Sequence, residues 1–164
     1  KKNIKLCGFI FKLQKRQSSR GAWATFQLND FYKFDPVSNT WTSISPFPPG
    51  GRYTSSTFVI GNDAYVGTGY IPLQSDFWKY NSTIGAWTQI SSLPGPPRQS
   101  AIGFEYNGIG FLCTGATSSA AVKDLFSYNP NTNLWTTKTP LPGPGRYGAF
   151  TFSLCDRVFV GCGS

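Results

Sequence analysis

Three stretches of this sequence are alike: DFYKFDPVSNTW at 30–41, DFWKYNSTIGAW at 76–87 and DLFSYNPNTNLW at 124–135. They follow one another at steps of 46 and 48 residues, counted from the first Asp of one stretch to that of the next. Three other kinds of residue keep the same steps, namely Trp41, Trp87 and Trp135, then Arg52, Arg98 and Arg146, and finally Gly69, Gly115 and Gly163. Self-similarity at a fixed period of this length is typical of repeat proteins, in which each repeat is one supersecondary unit.

Each repeat predicts four short strands. In the repeat that opens at Arg52, runs rich in β-branched and aromatic residues lie at 52–60, 64–69 and 76–81, and a fourth run starts at Trp87. Gly, Asn, Asp and Pro separate the runs, which favours strands joined by turns over helices. The repeats divide residues 29–164 into a half repeat at 30–44, complete repeats at 52–90 and 98–138, and a second half repeat at 146–163.

The composition agrees with a fold made of many short strands. Aromatic residues make up 16% of the chain and charged residues only 13%, which excludes a disordered chain. With 18 Gly and 12 Pro, the chain has turn residues for many connections, so we expect an all-β protein. No segment approaches the roughly 18 consecutive apolar residues of a membrane span, and we expect none.

The net charge of +8 is concentrated at one end of the chain. Seven of the fifteen basic residues lie within the first twenty, no acidic residue precedes Asp30, and residues 21–164 have a net charge of +1. A nucleic-acid-binding protein needs basic residues clustered on its folded body, so we expect no nucleic-acid partner. Residues 1–28 form an atypical basic segment, either a diverged first half repeat or an end of foreign or processed origin.

These repeats resemble the kelch repeat, in which an apolar stretch ends in two glycines and is followed by an aromatic residue and then a Trp. Here the aromatic residues are Phe34, Tyr80 and Tyr128, while GTG, CTG and GCG stand where the family prefers adjacent glycines. The resemblance implies an all-β, kelch-type β-propeller of four-stranded antiparallel blades, with the first strand of each blade innermost. Propellers have about four to eight blades, so we expect a partial or half ring from a six-bladed propeller, or a homodimer in which a second copy completes the six-bladed ring. Similarity to bacterial kelch proteins implies a secreted or cell-surface location.

The residues that open the first strand of each repeat are the candidate ligand-binding residues. In kelch propellers they often face a mouth of the channel, and the matching positions here are Arg52, Tyr53, Arg98, Gln99, Arg146 and Tyr147. Because guanidinium groups bind carboxylates, the resemblance implies a non-catalytic binding module for a protein or glycan partner with an anionic group. An arginine that recurs in every repeat can instead brace neighbouring blades, whereas the residue after it varies and is the better candidate for specificity.

The connection between the second and third strands also varies between repeats. It comprises residues 70–74 in one repeat and the longer segment 116–122 in the next. Insertions confined to one connection either form a contact surface or are merely tolerated. Exposure of Ile71 and Leu73 would favour a contact.

The chain lacks the residues of most catalytic sites. It has no His, and no C-x-x-C pair occurs among its four cysteines, so we expect free thiols and neither a metal nor another cofactor. The alternative to a binding module is an enzyme that resembles kelch-fold sialic acid mutarotases. The arginines would then hold the carboxylate of a sugar acid, and Glu105, the single Glu, would be the general acid–base.

Overall fold

A computed structural model describes residues 28–164, so the basic segment predicted at 1–28 lies, apart from its last residue, outside the described residues. Within that range the chain forms twelve strands and no helix, and therefore no helix that could cross a membrane. The chain divides into two units, residues 1–52 and residues 53–164. The strands are β1 (Phe31–Asp35), β2 (Thr40–Ile44), β3 (Ser56–Ile60), β4 (Asp63–Gly67), β5 (Phe77–Asn81), β6 (Ala86–Ile90), β7 (Ile102–Tyr106), β8 (Ile109–Cys113), β9 (Leu125–Asn129), β10 (Leu134–Lys138), β11 (Phe150–Leu154) and β12 (Arg157–Gly161).

The described part of the first unit contains one antiparallel hairpin, β1–β2. Phe34 pairs with Trp41 across the two strands, and their ring centroids lie 4.8 Å apart. Asp35 holds the turn, because its Oδ1 accepts a hydrogen bond from the backbone N–H of Val37 at 2.8 Å. Local capping of this kind is the physical reason that Asp and Asn are favoured in turns.

The second unit contains two four-stranded antiparallel sheets and one two-stranded sheet. The strand orders are β3-β4-β5-β6, β7-β8-β9-β10 and β11-β12, so every strand pairs with its neighbour in the chain. Short connections between antiparallel strands produce this sequential order. The two four-stranded sheets are the antiparallel blades that the repeats at 52–90 and 98–138 predict, and the two-stranded sheet corresponds to the half repeat at 146–163. The three sheets are termed blade 1 (β3–β6), blade 2 (β7–β10) and half-blade 3 (β11–β12).

Aromatic side chains fill the space between blades 1 and 2. The ring of Phe58 in blade 1 lies 6.4 Å from Tyr128 and 6.3 Å from Trp135 in blade 2, and Tyr65 lies 5.6 Å from Tyr128, between ring centroids. Phe58, Tyr65 and Tyr128 are buried, and Trp135 is half-buried. Aromatic side chains bury about 150–250 Å² each, so this contact is a large part of the apolar core. Tyr128 and Trp135, which stand at repeated positions of the sequence, therefore pack between these two blades.

The first strands of successive blades lie side by side in the second unit. The N–H of Ser100 donates to the carbonyl of Thr54 at 2.9 Å, and the N–H of Gly148 donates to the carbonyl of Ser100 at 3.0 Å. The hydroxyl of Ser56 donates to the carbonyl of Ala101 at 2.8 Å, and both side chains are buried. The small side chains of Ser56, Ser100 and Ala101 allow the backbones to approach this closely.

Candidate functional site

Three of the predicted site residues form one row, here termed the rim: Tyr53, Gln99 and Tyr147. Each directly precedes a residue whose backbone hydrogen bonds join the first strands of neighbouring blades, and these residues are Thr54, Ser100 and Gly148. Each is also held by a pair of backbone hydrogen bonds to the residue three positions after the second strand of its own sheet. The pairs are Tyr53 with Tyr70, Gln99 with Ala116 and Tyr147 with Ser164, all at 2.8–3.0 Å. The rim therefore consists of variable side chains on a backbone arrangement that repeats in every blade.

The residue after each rim residue has a left-handed backbone. The φ angles are 58° at Thr54, 53° at Ser100 and 62° at Gly148. A left-handed conformation is uncommon for a residue other than Gly and is unfavourable for a β-branched one such as Thr. It turns the chain so that the N–H groups of Ser100 and Gly148 reach the preceding blade. Only Gly148 could have been anticipated from its residue type, which is why sequence reasoning missed this feature.

The rim side chains can donate and accept hydrogen bonds. Tyr147 is exposed, while Tyr53 and Gln99 are half-buried. Desolvation and, to a lesser degree, the neighbouring Tyr70 raise the pKa of Tyr53 above its ordinary value of 10.0, so the phenol is neutral at physiological pH. The carbonyl oxygen of the Gln99 side chain accepts a hydrogen bond from the Thr54 hydroxyl at 3.3 Å, which leaves the amide NH₂ as its donor end.

Arg98 directly precedes the rim residue Gln99 and is fully buried. Its Nη1 and Nη2 bind the two carboxylate oxygens of Asp124, the second at 2.8 Å. Nη1 also donates to the carbonyl of Thr114 at 3.1 Å, and Nε donates to the carbonyl of Pro96 at 3.2 Å. All three guanidinium nitrogens are thus occupied by the protein itself. Of the two roles expected for this arginine, the geometry is that of a brace and not of a ligand contact.

The backbone of Arg98 joins blade 2 to blade 1. Its N–H donates to the carbonyl of Gln74 at 3.1 Å, and its carbonyl accepts from the N–H of Gly69 at 2.8 Å. Gln74 and Gly69 flank the connection between the second and third strands of blade 1. Within that connection Ile71 is exposed and Leu73 is half-buried, so only one of the two side chains meets the condition that would favour a contact.

Arg146 is the equivalent arginine of half-blade 3 and has a different environment. Its backbone makes the same contacts to blade 2, to Val122 at 3.1 Å and Gly115 at 2.8 Å. Its Nη1 donates to the carbonyl of Cys162 at 3.3 Å, as Arg98 does to Thr114. Within residues 28–164 no carboxylate forms an ion pair with it, and its buried Nε has no hydrogen-bond partner.

Arg52 belongs to the first unit. Its guanidinium carbon lies 4.9 Å from the centroid of the buried Phe47 ring, which is a cation–π distance. Five of the six predicted ligand-binding residues thus belong to the second unit, namely the three rim residues, Arg98 and Arg146. Arg52, the sixth, belongs to the first unit.

Glu105 lies near the far end of β7 from the rim. It is the fourth residue of β7, so about 10 Å of strand, at about 3.3 Å per residue, separates it from Ile102, and Gln99 precedes that start of the strand. Its Oε1 accepts a hydrogen bond from the backbone N–H of Gly108 at 2.6 Å. There it lines an open cleft of about 350 Å³ with Tyr106, Asn107 and the turn at residues 153–157. Glu105 and the rim do not share one site.

The cysteines in the described range are free thiols in different surroundings. Cys113 is buried, whereas Cys155 and Cys162 are exposed. Burial, followed by the nearby negative charge of Asp124, raises the pKa of Cys113 to about 11, so this thiol is protonated and unreactive at neutral pH. Cys7 lies outside the described residues.

Comparison with known proteins supports the fold and not a particular activity. No family model and no curated protein matches the chain. Many solved structures do, and one of them, the structure of YjhT, covers 80% of this chain at 21% identity with a TM-score of 0.71. The chain spans about half of that structure, 51% of its length. At this identity the likeness concerns the fold alone, and together with the four-stranded blades it places the chain in the β-propeller class.

Proposed function

We propose that this chain is a non-catalytic binding module of the kelch type, whose rim contacts an anionic group of a protein or glycan partner. The observation that carries the proposal is the row of Tyr53, Gln99 and Tyr147, two phenols and an amide that are held by backbone hydrogen bonds that repeat in each blade. A rigid scaffold that presents variable polar and aromatic side chains is what a recognition surface requires.

The chemistry of the rim fits a carboxylate better than a cation. Two phenols and the amide NH₂ of Gln99 are hydrogen-bond donors, and none of these three described rim residues is acidic. Arg146 precedes Tyr147 directly and is only partly buried, which adds a cationic group next to the rim. Hydrogen bonds to a charged acceptor are roughly twice as strong as those between neutral groups. An acidic peptide and a uronic acid both present such a carboxylate.

The test is a binding titration of two probes, an oligoglutamate peptide and glucuronate, followed by chemical shifts or calorimetry. We expect Gln99→Ala and Tyr147→Ala each to weaken the binding of the preferred probe by about tenfold, which corresponds to about 1.4 kcal/mol. Tyr106→Ala is the matched control, because Tyr106 is exposed to a similar extent, 38% against 44% for Tyr147, but lies at the far end of β7. Equal losses in rim and control variants, or no binding of either probe, would refute the proposal.

The mutarotase alternative requires a general acid–base close to the groups that hold the sugar carboxylate. Glu105 lies about 10 Å into β7, beyond the segment that joins Gln99 to the strand, which favours the binding role. An anomer-exchange assay with Glu105→Gln tests the alternative directly. A rate that falls in this variant would support the enzyme, and an unchanged rate would remove Glu105 from consideration.

We also propose that the working assembly is a homodimer that completes a six-bladed ring. Half-blade 3 and the β1–β2 hairpin are the two incomplete sheets of the described chain. A secreted or cell-surface location stays a prediction from resemblance to bacterial kelch proteins.

A further inference from the structure

The connection between the second and third strands of blade 1, residues 70–74, is termed loop 1 and is attached to both blades beside the rim. The N–H of Gln74 donates to the carbonyl of Gly69 at 3.0 Å, which closes the loop at its base. Both of these residues also bind the backbone of Arg98, which directly precedes the rim residue Gln99. The base of loop 1 is therefore fixed between blade 1 and the start of blade 2.

The first side chains of loop 1 form an apolar patch next to the rim. Tyr70 makes the backbone pair with Tyr53, and the two rings meet edge to face with their centroids 5.3 Å apart. Ile71 follows directly and is 41% exposed, while Leu73 is half-buried. An exposed aliphatic side chain thus stands beside the tyrosine pair to which the first rim residue belongs.

The matching connection of blade 2, residues 116–122, is termed loop 2 and has the same base but a polar tip. The N–H of Val122 donates to the carbonyl of Gly115 at 2.9 Å, as Gln74 does to Gly69 in loop 1. Within loop 2 the N–H of Thr117 donates to the carbonyl of Ala120 at 2.9 Å, which folds the tip into a turn. The exposed residues of this turn are Ser118, Ser119 and Ala120.

The two loops differ in the one place where the two blades are not alike. The hydrogen bonds at their bases recur, so the loops stand at equivalent places beside Tyr53 and Gln99, yet one tip offers an aliphatic side chain and the other offers hydroxyl groups. Features that recur in every repeat belong to the scaffold, whereas differences confined to a loop distinguish one partner from another. The rim therefore has an apolar end at loop 1 and a polar end at loop 2.

We infer that the partner is an acidic peptide segment in which an aliphatic side chain stands next to a carboxylate. The aliphatic side chain packs on Ile71, and the carboxylate accepts hydrogen bonds from the rim. This recognition rests on the proposed function, because the rim supplies the donors for the carboxylate. Loop 1 adds an apolar contact to it, which makes Ile71 a specificity-determining residue.

A peptide fits this combination of groups better than a glycan does. Neighbouring side chains of a peptide can be an aliphatic group and a carboxylate, so one short segment can satisfy both loop 1 and the rim. A sugar ring carries hydroxyl groups on most of its carbon atoms, and a hydroxyl group set against Ile71 would lose its water without gaining a hydrogen-bond partner. An acidic glycan is therefore expected to gain no affinity from loop 1.

Calorimetric titration of the chain with two hexapeptides of equal charge measures the contribution of loop 1. One hexapeptide alternates Glu with Leu, and the other alternates Glu with Ala. We expect the unchanged chain to bind the Leu peptide about tenfold more tightly, because the larger side chain buries more apolar surface on Ile71. Ile71→Ser is expected to reduce this ratio to about twofold or less, and to leave the affinity for the Ala peptide unchanged, since the rim contacts remain.

Two further variants separate the apolar contact from other effects. Ile71→Leu keeps the aliphatic surface and should retain the preference for the Leu peptide. Ile84→Ser is the matched control, because Ile84 is also an exposed isoleucine of blade 1. It lies in the turn after β5, and the last residue of β5, Asn81, pairs with Asp63 at the end of β4 away from the rim. This control should leave the ratio of the two affinities unchanged.

The outcomes distinguish a failure of this contact from a failure of the rim itself. Equal dissociation constants for the two peptides, or the same ratio in Ile71→Ser as in the unchanged chain, would overturn the role of Ile71 and leave the proposed function standing. Tighter binding of glucuronate than of either peptide would overturn the peptide in favour of a glycan. A chain that binds neither peptide nor glucuronate would overturn the proposed function.

Discussion

The ion pair between Arg98 and Asp124 should contribute more to stability than any other single polar contact described in blade 2. Arg98 is fully buried, while the Asp124 side chain is 30% exposed. Breaking a buried pair by removing one partner costs about 3–5 kcal/mol, because the remaining charge stays desolvated. Asp124→Ala leaves the fully buried guanidinium without a counter-charge and should lie near the upper value. Arg98→Ala leaves a carboxylate that water can reach, but it also removes the hydrogen bonds to the carbonyls of Thr114 and Pro96 and empties a buried site, so it should cost a similar amount.

Urea unfolding followed by tryptophan fluorescence measures these losses of stability. With a slope of about 2 kcal/mol per molar urea, Asp124→Ala and Arg98→Ala are each expected to lower the midpoint by roughly 1.5–2.5 M. Lys79→Ala is the matched control, since the pair of Lys79 with Asp63 is 3.6 Å long and partly exposed, and should cost less than about 1 kcal/mol. Midpoints for the Arg98 and Asp124 variants that coincide with the control would show that the arginine does not brace the blades.

Two further predictions concern the contact of blades 1 and 2 and the buried thiol. Gly110→Ala is expected to destabilise the second unit by about 1–3 kcal/mol, because the added Cβ would overlap the ring of Phe58; an unchanged urea midpoint would contradict that packing. Cys113 should resist alkylation at neutral pH while the two exposed cysteines react. Since its pKa is raised from 9.0 to about 11, its contribution to stability is complete below pH 9 and is lost as the pH rises towards 11. A Cys113→Ala variant with the same loss of stability between pH 9 and 11 would exclude this thiol as its cause.

Much of the fold could be predicted because its determinants are local. The Asp-to-Trp stretches define a hairpin through alternation and turn residues, and their recurrence defines the number and order of strands. The placement of Tyr128 and Trp135 between blades follows from the same repetition, since a residue present in every repeat has the same neighbours in every repeat. The rim could also be located, because Tyr53, Gln99 and Tyr147 vary at a fixed position beside an invariant arginine.

The sequence by itself determined the repeat, the strands and the row of variable residues. Only the tertiary structure decided what each repeated residue does. Arg98 and Arg146 have the same sequence context, yet one is enclosed by Asp124 and the other has no carboxylate among the described residues, because a contact across 26 residues exists only where the third strand is in place. Likewise, the left-handed backbone of Thr54 results from interblade hydrogen bonding and opposes the preference of its own residue type. Local propensity specifies the strands, and packing between blades specifies the site.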